Sequence, residues 1–219
     1  MTDRRSPDPT APGGIPLLLT FDVEDHFQIE QASRLSLDPG LKARCSERLE
    51  PVTYWLLDAL ARAGQLATFF IVGTVARRCP ALVRAVHAAG HEVASHGWEH
   101  RRVHCFTPEG FREDTRKGKD CLEQITGEAV RGYRAPTFSV MRQTAWALDV
   151  LAELGFLYDS SVFPVYHDWY GVPGAPRGPF LARGERHEIL EVPPATLRLG
   201  GVNVPVGGGG YFRLFPLAV

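Results

Sequence analysis

The chain has 219 residues, of which 44% are hydrophobic, and its 24 Lys and Arg residues nearly balance 25 Asp and Glu residues. This length suits one large α/β domain, and the formal net charge of -1 gives no general attraction to nucleic acid or to an anionic membrane. No apolar stretch is long enough to span a bilayer, and residues 1–14 lack the apolar segment of a secretory signal. We therefore expect a disordered tail over residues 1–14 and a cytoplasmic protein without a transmembrane segment.

Predicted strands and helices alternate along the chain, which is the pattern of βαβ units and a parallel sheet. The sheet is either closed as a (β/α) barrel or open, and both architectures bind ligands at the carboxyl ends of strands. The predicted strands cover residues 15–21, 66–72, 91–94, 130–133, 156–158, 189–192 and 196–199. The predicted helices cover residues 47–63, 80–89, 108–126 and 142–154, and residues 28–46 and 162–182 are predicted as loops.

A glycine follows each predicted helix, where a left-handed residue can end the helix before the next strand. These glycines are Gly64, Gly90, Gly127 and Gly155. No Gly-x-Gly-x-x-Gly motif follows the first predicted strand, so a dinucleotide-binding sheet is not supported.

Two histidines follow the strand predicted over residues 91–94. His96 and His100 lie in Ser-His-Gly-Trp-Glu-His, and both can turn toward one point if the backbone makes a helical turn there. Two imidazoles provide half of a tetrahedral zinc-type site, which a carboxylate and a water molecule would complete. The spacing alone is weak evidence, because two other histidine pairs in the chain share it. The preceding strand and a possible carboxylate partner distinguish this pair.

The carboxylates Asp22, Glu24 and Asp25 end the first predicted strand. In an extended segment Asp22 and Glu24 share a face, and Asp25 joins them only if the chain turns. Crowded carboxylates repel one another, so a metal or another cation is needed to keep them ionised. Arg134 ends the strand predicted over residues 130–133, where Pro136 rigidifies the turn, and it could orient one carboxylate as a general base.

Together these groups predict a metal-assisted hydrolase. A bound metal lowers the pKa of its water and polarises a carbonyl oxygen, and Asp22 takes the proton of the attacking water. Taken singly, the carboxylates could cap a loop, Arg134 could form a structural ion pair, and residues 159–161 could form an ordinary turn. Their joint placement at successive strand ends favours the catalytic interpretation.

These motifs resemble those of polysaccharide deacetylases of the NodB-homology type, from about residue 17 to the C-terminus. The resemblance is carried by residues 20–25, 68–70, 90–100 and 132–136. Further stretches resemble the branch encoded in exopolysaccharide and exosortase (PEP-CTERM) loci. These are residues 158–164, 167–173 and 208–213.

The resemblance implies a distorted (β/α) barrel over residues 15–219, with residues 162–219 as a branch-specific extension. It also implies a divalent metal, zinc before cobalt, and the removal of N-acetyl groups from amino sugars of a polysaccharide. The substrate would be an amino-sugar glycan or a lipid-linked oligosaccharide, and the metal-bound water would attack the acetamide carbonyl.

The resemblance also assigns roles to individual residues. Many members have two adjacent Asp residues, whereas here Val23 intervenes. Glu24 therefore matches the variant with a one-residue spacer, and Asp25 stays open as the alternative carboxylate ligand. The implied residues are Asp22 (base) and Arg134 (orienting the base), His96, His100 and Glu24 or Asp25 (metal), and Trp98, Pro136 and Asp159 (substrate).

One feature departs from the family pattern. The family places a histidine on a late strand as general acid for the leaving amine, and in this branch we expect it beyond residues 208–213. The chain ends before such a motif, and its last histidine, His187, does not lie in one. We therefore expect a chain that lacks its C-terminal part, with uncertain activity. Two alternatives stay open: a same-fold amidase that cuts another C–N bond, and a catalytically impaired glycan-binding or assembly protein.

Overall fold

The computed structural model describes residues 18–28, 36–167 and 169–207. The predicted tail over residues 1–14 and the motif at residues 208–213 lie outside these ranges. The described strands are β1 (Thr20–Val23), β2 (Thr68–Ile71), β3 (Glu92–Ser95), β4 (Gly132–Tyr133), β5 (Tyr158–Asp159), β6 (Phe180–Arg183), β7 (Glu188–Glu191), β8 (Thr196–Leu199) and β9 (Val202–Pro205). The helices are α1 (Pro39–Glu47), α2 (Leu49–Ala63), α3 (Gly73–Arg78), α4 (Pro80–Ala88), α5 (Pro108–Thr126) and α6 (Trp146–Glu153).

Seven strands form one sheet in the order β1-β2-β3-β4-β5-β7-β6. All neighbours in this sheet are parallel except β6, which pairs antiparallel with β7, and β8 and β9 form a separate hairpin. The predicted α/β architecture with a parallel sheet is confirmed. Within the described residues no pairing joins β1 to β6, and closure into a barrel stays a prediction.

The glycines predicted to end helices adopt the left-handed conformation. Gly64 and Gly127 cap α2 and α5 with φ of 63° and 73°, and Gly90 and Gly155 have φ of 84° and 77°. Glycine carries no Cβ, so it adopts this conformation without the steric cost that other residues meet. Each short connection then returns the chain to the sheet.

The loop prediction for residues 28–46 is wrong in part, because α1 begins at Pro39. Asp38 caps this helix by accepting a hydrogen bond from the Leu41 amide at 2.9 Å, and Pro39 occupies the first turn. No residue of α1 is buried, so the helix has no apolar stripe to reveal it in the sequence. The capping residue Asp38 and the following Pro39 were the sequence features that could have indicated this helix.

Other elements also differ from the predictions, including β9, which was not predicted. The helix predicted over residues 142–154 is divided into a 3₁₀ turn (Arg142–Thr144) and α6. The strand β6 lies within the stretch of residues 162–182 that was predicted as a loop, because only one of its four residues is buried. Helix α3 was missed because its six residues are too few to show a period.

The core lies where the helices pack against the sheet. Phe69 and Ile71 on β2, Leu82 and Val86 on α4, and Leu122 on α5 are at most 1% exposed. Burying one such side chain stabilises the fold by about 1.5–3 kcal/mol. This packing fixes the parallel strands, so their carboxyl ends share one edge of the sheet. No helix of the described residues has the length and apolar character needed to cross a membrane.

Candidate active site

Three residues from two strand ends form a potential metal site. Glu24 follows β1 and His96 follows β3, and the register Val23–Ile71–Ser95 across β2 brings both to the same edge of the sheet. Glu24, His96 and His100 each offer a ligand atom within 4.8 Å of the other two. Two imidazole nitrogens and a carboxylate oxygen suit a divalent transition metal.

The His96 ring is oriented for metal binding. Its side chain is buried, and Nδ1 lies 2.7 Å from the carbonyl oxygen of Arg134. Because a carbonyl can only accept, Nδ1 carries the proton and Nε2 offers its lone pair. Burial lowers the pKa of His96, which favours the neutral ring that a metal requires. Both features fit a metal ligand.

The second imidazole, His100, sits on an unusual backbone. Its φ of 57° is in the left-handed region, which is uncommon for residues other than glycine. The turn begins at Gly97, whose φ is 73°, and it places the His100 ring 5.0 Å from the His96 ring between centroids. His100 Nε2 lies in direct contact with Glu24 Oε2. The strained turn therefore brings the second nitrogen to the carboxylate.

The Arg134 guanidinium forms a hydrogen bond with Asp22, the predicted base. Nη1 donates to Asp22 Oδ1 at 2.8 Å, and Nη2 and Nε donate to the hydroxyl and carbonyl oxygens of Ser160 at 2.8 and 3.2 Å. The guanidinium carbon lies 4.1 Å from the centre of the Phe70 ring, a cation–π contact. Arg134 is thus held on several sides and holds Asp22 in turn.

Asp22 is ionised at neutral pH. Burial raises the pKa of this carboxyl, but the charge of Arg134 and its hydrogen bond outweigh burial and lower the pKa below its ordinary value. The Asp22 side chain is 26% exposed, so it remains accessible from solvent. A carboxylate placed beside a potential metal site can accept a proton from water.

The structure does not bring Asp25 to the histidines. Both Asp25 oxygens accept hydrogen bonds from Arg78 on α3, Oδ2 at 2.9 Å and Oδ1 at 2.8 Å, and the side chain is 2% exposed. The Asp25 amide also donates to Gln28 Oε1 at 2.9 Å in a local turn. Because this carboxylate is fully used by Arg78, we withdraw Asp25 as a metal ligand and keep Glu24.

The residues assigned to substrate binding are buried, and we revise these roles. Trp98 is 5% exposed, with cations of Arg77 and Lys117 at 5.0 and 4.2 Å from its ring. Asp159 has no exposed surface, so it cannot contact a glycan. Pro136 is also buried and begins the 3₁₀ turn Pro136–Phe138. All three side chains are therefore largely shielded from solvent in this structure.

Several residues that sequence reasoning missed support the site. The Asp114 carboxylate accepts a 2.8 Å hydrogen bond from the Trp98 amide, which anchors the histidine turn to α5. Ser160 binds Arg134, and Glu191 lies buried at the end of β7. A carboxylate at the end of a strand is the sequence feature that indicated Asp22, and Glu191 has the same feature. His187 precedes β7 and therefore lies at the opposite edge of the sheet from these residues.

Comparison with known proteins agrees with the geometry. The family model for polysaccharide deacetylases matches residues 15–158, and a domain of unknown function, DUF3473, matches residues 160–219. The crystal structure of a Mycobacterium smegmatis protein, provisionally described as a polysaccharide deacetylase, has a TM-score of 0.63 and 26% sequence identity. That match covers 93% of this chain and 70% of the other.

Two curated relatives each match a little under half of the chain. A peptidoglycan deacetylase-like protein of Gibberella zeae is 31% identical over 109 residues, 49% of this chain and 31% of that protein. A chitooligosaccharide deacetylase of Azorhizobium caulinodans is 30% identical over 101 residues, 46% of this chain and 45% of that protein. The matched part spans less than half the length of either relative. The family match covers most of the chain, which therefore belongs to the polysaccharide deacetylase family.

Proposed function

We propose that this protein is a metal-dependent hydrolase that removes N-acetyl groups from the amino sugars of a polysaccharide. The observation that carries the proposal is the ionised Asp22, held by Arg134 beside the potential ligands Glu24, His96 and His100. The names of the curated relatives, which include chitooligosaccharide and peptidoglycan deacetylases, support the same reaction class.

We assign the metal to Glu24, His96 and His100, with zinc as the preferred ion and cobalt as the alternative. The donor set of two imidazoles and one carboxylate supports this choice. A bound ion would supply Lewis-acid polarisation of the acetamide carbonyl and would acidify a water molecule. The hydrogen bond from His96 Nδ1 to the Arg134 carbonyl oxygen fixes the ring in the required tautomer.

The chain itself supplies the base. Arg134 fixes Asp22 Oδ1, and we assign the proton of the attacking water to the second oxygen, Oδ2. The guanidinium keeps this carboxylate ionised and sets its direction, so the base is ready before the substrate arrives. Because Arg134 also contacts Ser160, the orientation of the base depends on the end of β5.

The substrate of the protein and its location in the cell are two further parts of the proposal. The stretches at residues 158–164 and 167–173 support a role in exopolysaccharide biosynthesis or modification. We accordingly propose an amino-sugar polymer or a lipid-linked oligosaccharide as substrate and a cytoplasmic location.

The test is acetate release from N-acetylglucosamine oligomers of increasing length by the metal-loaded chain. We expect activity that a chelator abolishes and that Asp22→Asn lowers by at least about 100-fold. Asp58→Asn, a matched change on the exposed face of α2, should leave activity unchanged.

Other results would redirect the proposal. Hydrolysis of a cyclic amide instead of the acetylated glycan, lost in Asp22→Asn, would assign the protein to the amidases. Glycan binding without acetate release, unchanged in Asp22→Asn, would instead indicate a binding or assembly protein.

A further inference from the structure

Two buried carboxyl groups face each other beneath the proposed active site. Asp159 ends β5 and Glu191 ends β7, and the two residues are directly paired in the parallel register. Paired residues of neighbouring strands project from the same face of a sheet. Neither residue has any exposed surface. The two acids therefore meet in the interior, away from bulk solvent.

The hydrogen bonds of these acids leave one oxygen on each unused. Asp159 Oδ1 accepts from the Ser161 hydroxyl at 2.5 Å, and Glu191 Oε1 accepts from the Val162 amide at 3.1 Å. The other oxygens, Asp159 Oδ2 and Glu191 Oε2, are buried and have no donor among the described residues. Each such orphaned acceptor costs about 1–3 kcal/mol, and two facing carboxylates would also repel each other.

A single proton between the two free oxygens removes both costs. The protonated acid donates, the ionised acid accepts, and only one negative charge is buried. Burial raises the pKa of Asp159 to about 6 and that of Glu191 well above its ordinary range, and the two carboxyls interact directly. Arg134, directly after β4, is a nearby cation, and the Tyr133 phenol is a further titratable group close to Asp159.

The pair is connected to the proposed base through two serines. Ser161 donates to Asp159 and accepts from the Ala135 amide at 2.7 Å, so it fixes the backbone beside Arg134. Ser160 donates to the carbonyl oxygen of Val192, directly after Glu191, at 2.8 Å and accepts from Arg134. The junction of β5 and β7 therefore sets the position of the guanidinium.

We propose that Asp159 and Glu191 share one proton, and that this proton holds the β5–β7 junction which positions Arg134 against Asp22. Glu191 is then a positioning residue for the base. The part of this inference that concerns activity rests on the proposed deacetylation, whereas the shared proton does not. Loss of the proton at higher pH would set two carboxylates against each other, loosen the serine contacts and release Arg134.

The first test detects the proton directly. Infrared spectroscopy of the folded chain at neutral pH should show the carbonyl band of a protonated, buried carboxylic acid. The band should disappear in Glu191→Gln, because the amide then donates to Asp159 and leaves it ionised. Glu188→Gln, at the exposed start of the same strand, should retain the band. A wild-type protein without the band, or a Glu191→Gln variant that keeps it, would overturn the shared proton.

The second test measures positioning. Because His96 binds the Arg134 carbonyl, Glu191→Ala should weaken cobalt binding by about 10-fold, and Glu191→Gln should restore it. The wild-type kcat for acetate release should fall on the alkaline side of its pH profile, and Glu191→Gln should abolish that fall. A merely structural role would lower the folded fraction of both variants without changing the profile.

The outcomes separate the two proposals. If the alkaline fall persists in Glu191→Gln, or if glutamine does not restore cobalt binding, Glu191 is not the positioning residue. If no form of the chain releases acetate, the deacetylase proposal fails. In that case the infrared band still tests whether the proton is shared, and the cobalt affinities still test whether Glu191 is a positioning residue.

Discussion

Replacing Arg134 by lysine tests how the base is held. Arg134 donates to Asp22 at 2.8 Å and to the hydroxyl and carbonyl oxygens of Ser160 at 2.8 and 3.2 Å. Lysine keeps the charge, but its ammonium is a point donor and cannot span both partners as the planar guanidinium does. The lysine can therefore contact either Asp22 or Ser160 at the end of β5, but not both.

The structure sets the expected size of the effect. Hydrogen bonds to charged groups are worth about 1.5–3 kcal/mol each, and the 26% exposure of Asp22 lets water replace part of the loss. We expect Arg134→Lys to lower the free energy of unfolding by about 2 kcal/mol. A base displaced by about 1 Å should lower kcat for acetate release by about 100-fold.

The assay combines urea unfolding with acetate-release kinetics on the metal-loaded chain. Arg131→Lys is the matched control, because Arg131 is exposed and lies three residues earlier on the same segment. The control should change neither quantity. A kcat for Arg134→Lys within about twofold of wild type would refute the claim that this guanidinium orients the base.

Further predictions concern the scaffold. Asp149 is buried and accepts hydrogen bonds from the amides of residues 185, 186 and 187 at 2.8, 2.9 and 2.7 Å, so Asp149→Asn should cost about 2 kcal/mol in urea unfolding at neutral pH. Burial raises the pKa of Asp149, but the three amides outweigh burial and lower the pKa below its ordinary value of 3.8. The ionised carboxylate therefore stabilises the fold above about pH 4, and this stabilisation is lost as the pH falls further. The stability of Asp149→Asn should lack this dependence on acid pH. At Gly73 an added Cβ would lie 2.4 Å from Trp98 Cε3, so Gly73→Ala should lower stability by about 1–3 kcal/mol, whereas the same change at the exposed Gly178 should have little effect on the melting temperature.

The strand ends were predictable from the sequence because parallel strands place their carboxyl ends at one edge. Asp22, His96 and Arg134 each lie just after a predicted strand, and the sheet brings them together as expected. The choice between Glu24 and Asp25 was not predictable. It depends on Arg78, which is 53 residues away along the chain and on a short helix without a periodic pattern.

Burial was the second property that the sequence concealed. Trp98 lies between the two histidines in the sequence and was predicted to contact substrate. Because Gly73 has no side chain, the indole of Trp98 instead packs against the first residue of α3. Asp159 was predicted either to contact substrate or to lie in an ordinary turn, but β7 places the buried Glu191 beside it. Strand order decides which residues share the interior, and local pattern does not encode strand order.

The metal content of the purified chain is the most direct test of the central claim. Wild type should bind about one zinc or cobalt ion per chain, and both His96→Ala and Glu24→Ala should lose it, because each removes one of three protein ligands. Asp25→Asn should retain the metal, since that carboxylate is bound to Arg78. A folded wild-type chain that binds no metal, or a Glu24→Ala variant that keeps it while Asp25→Asn loses it, would contradict the site described above.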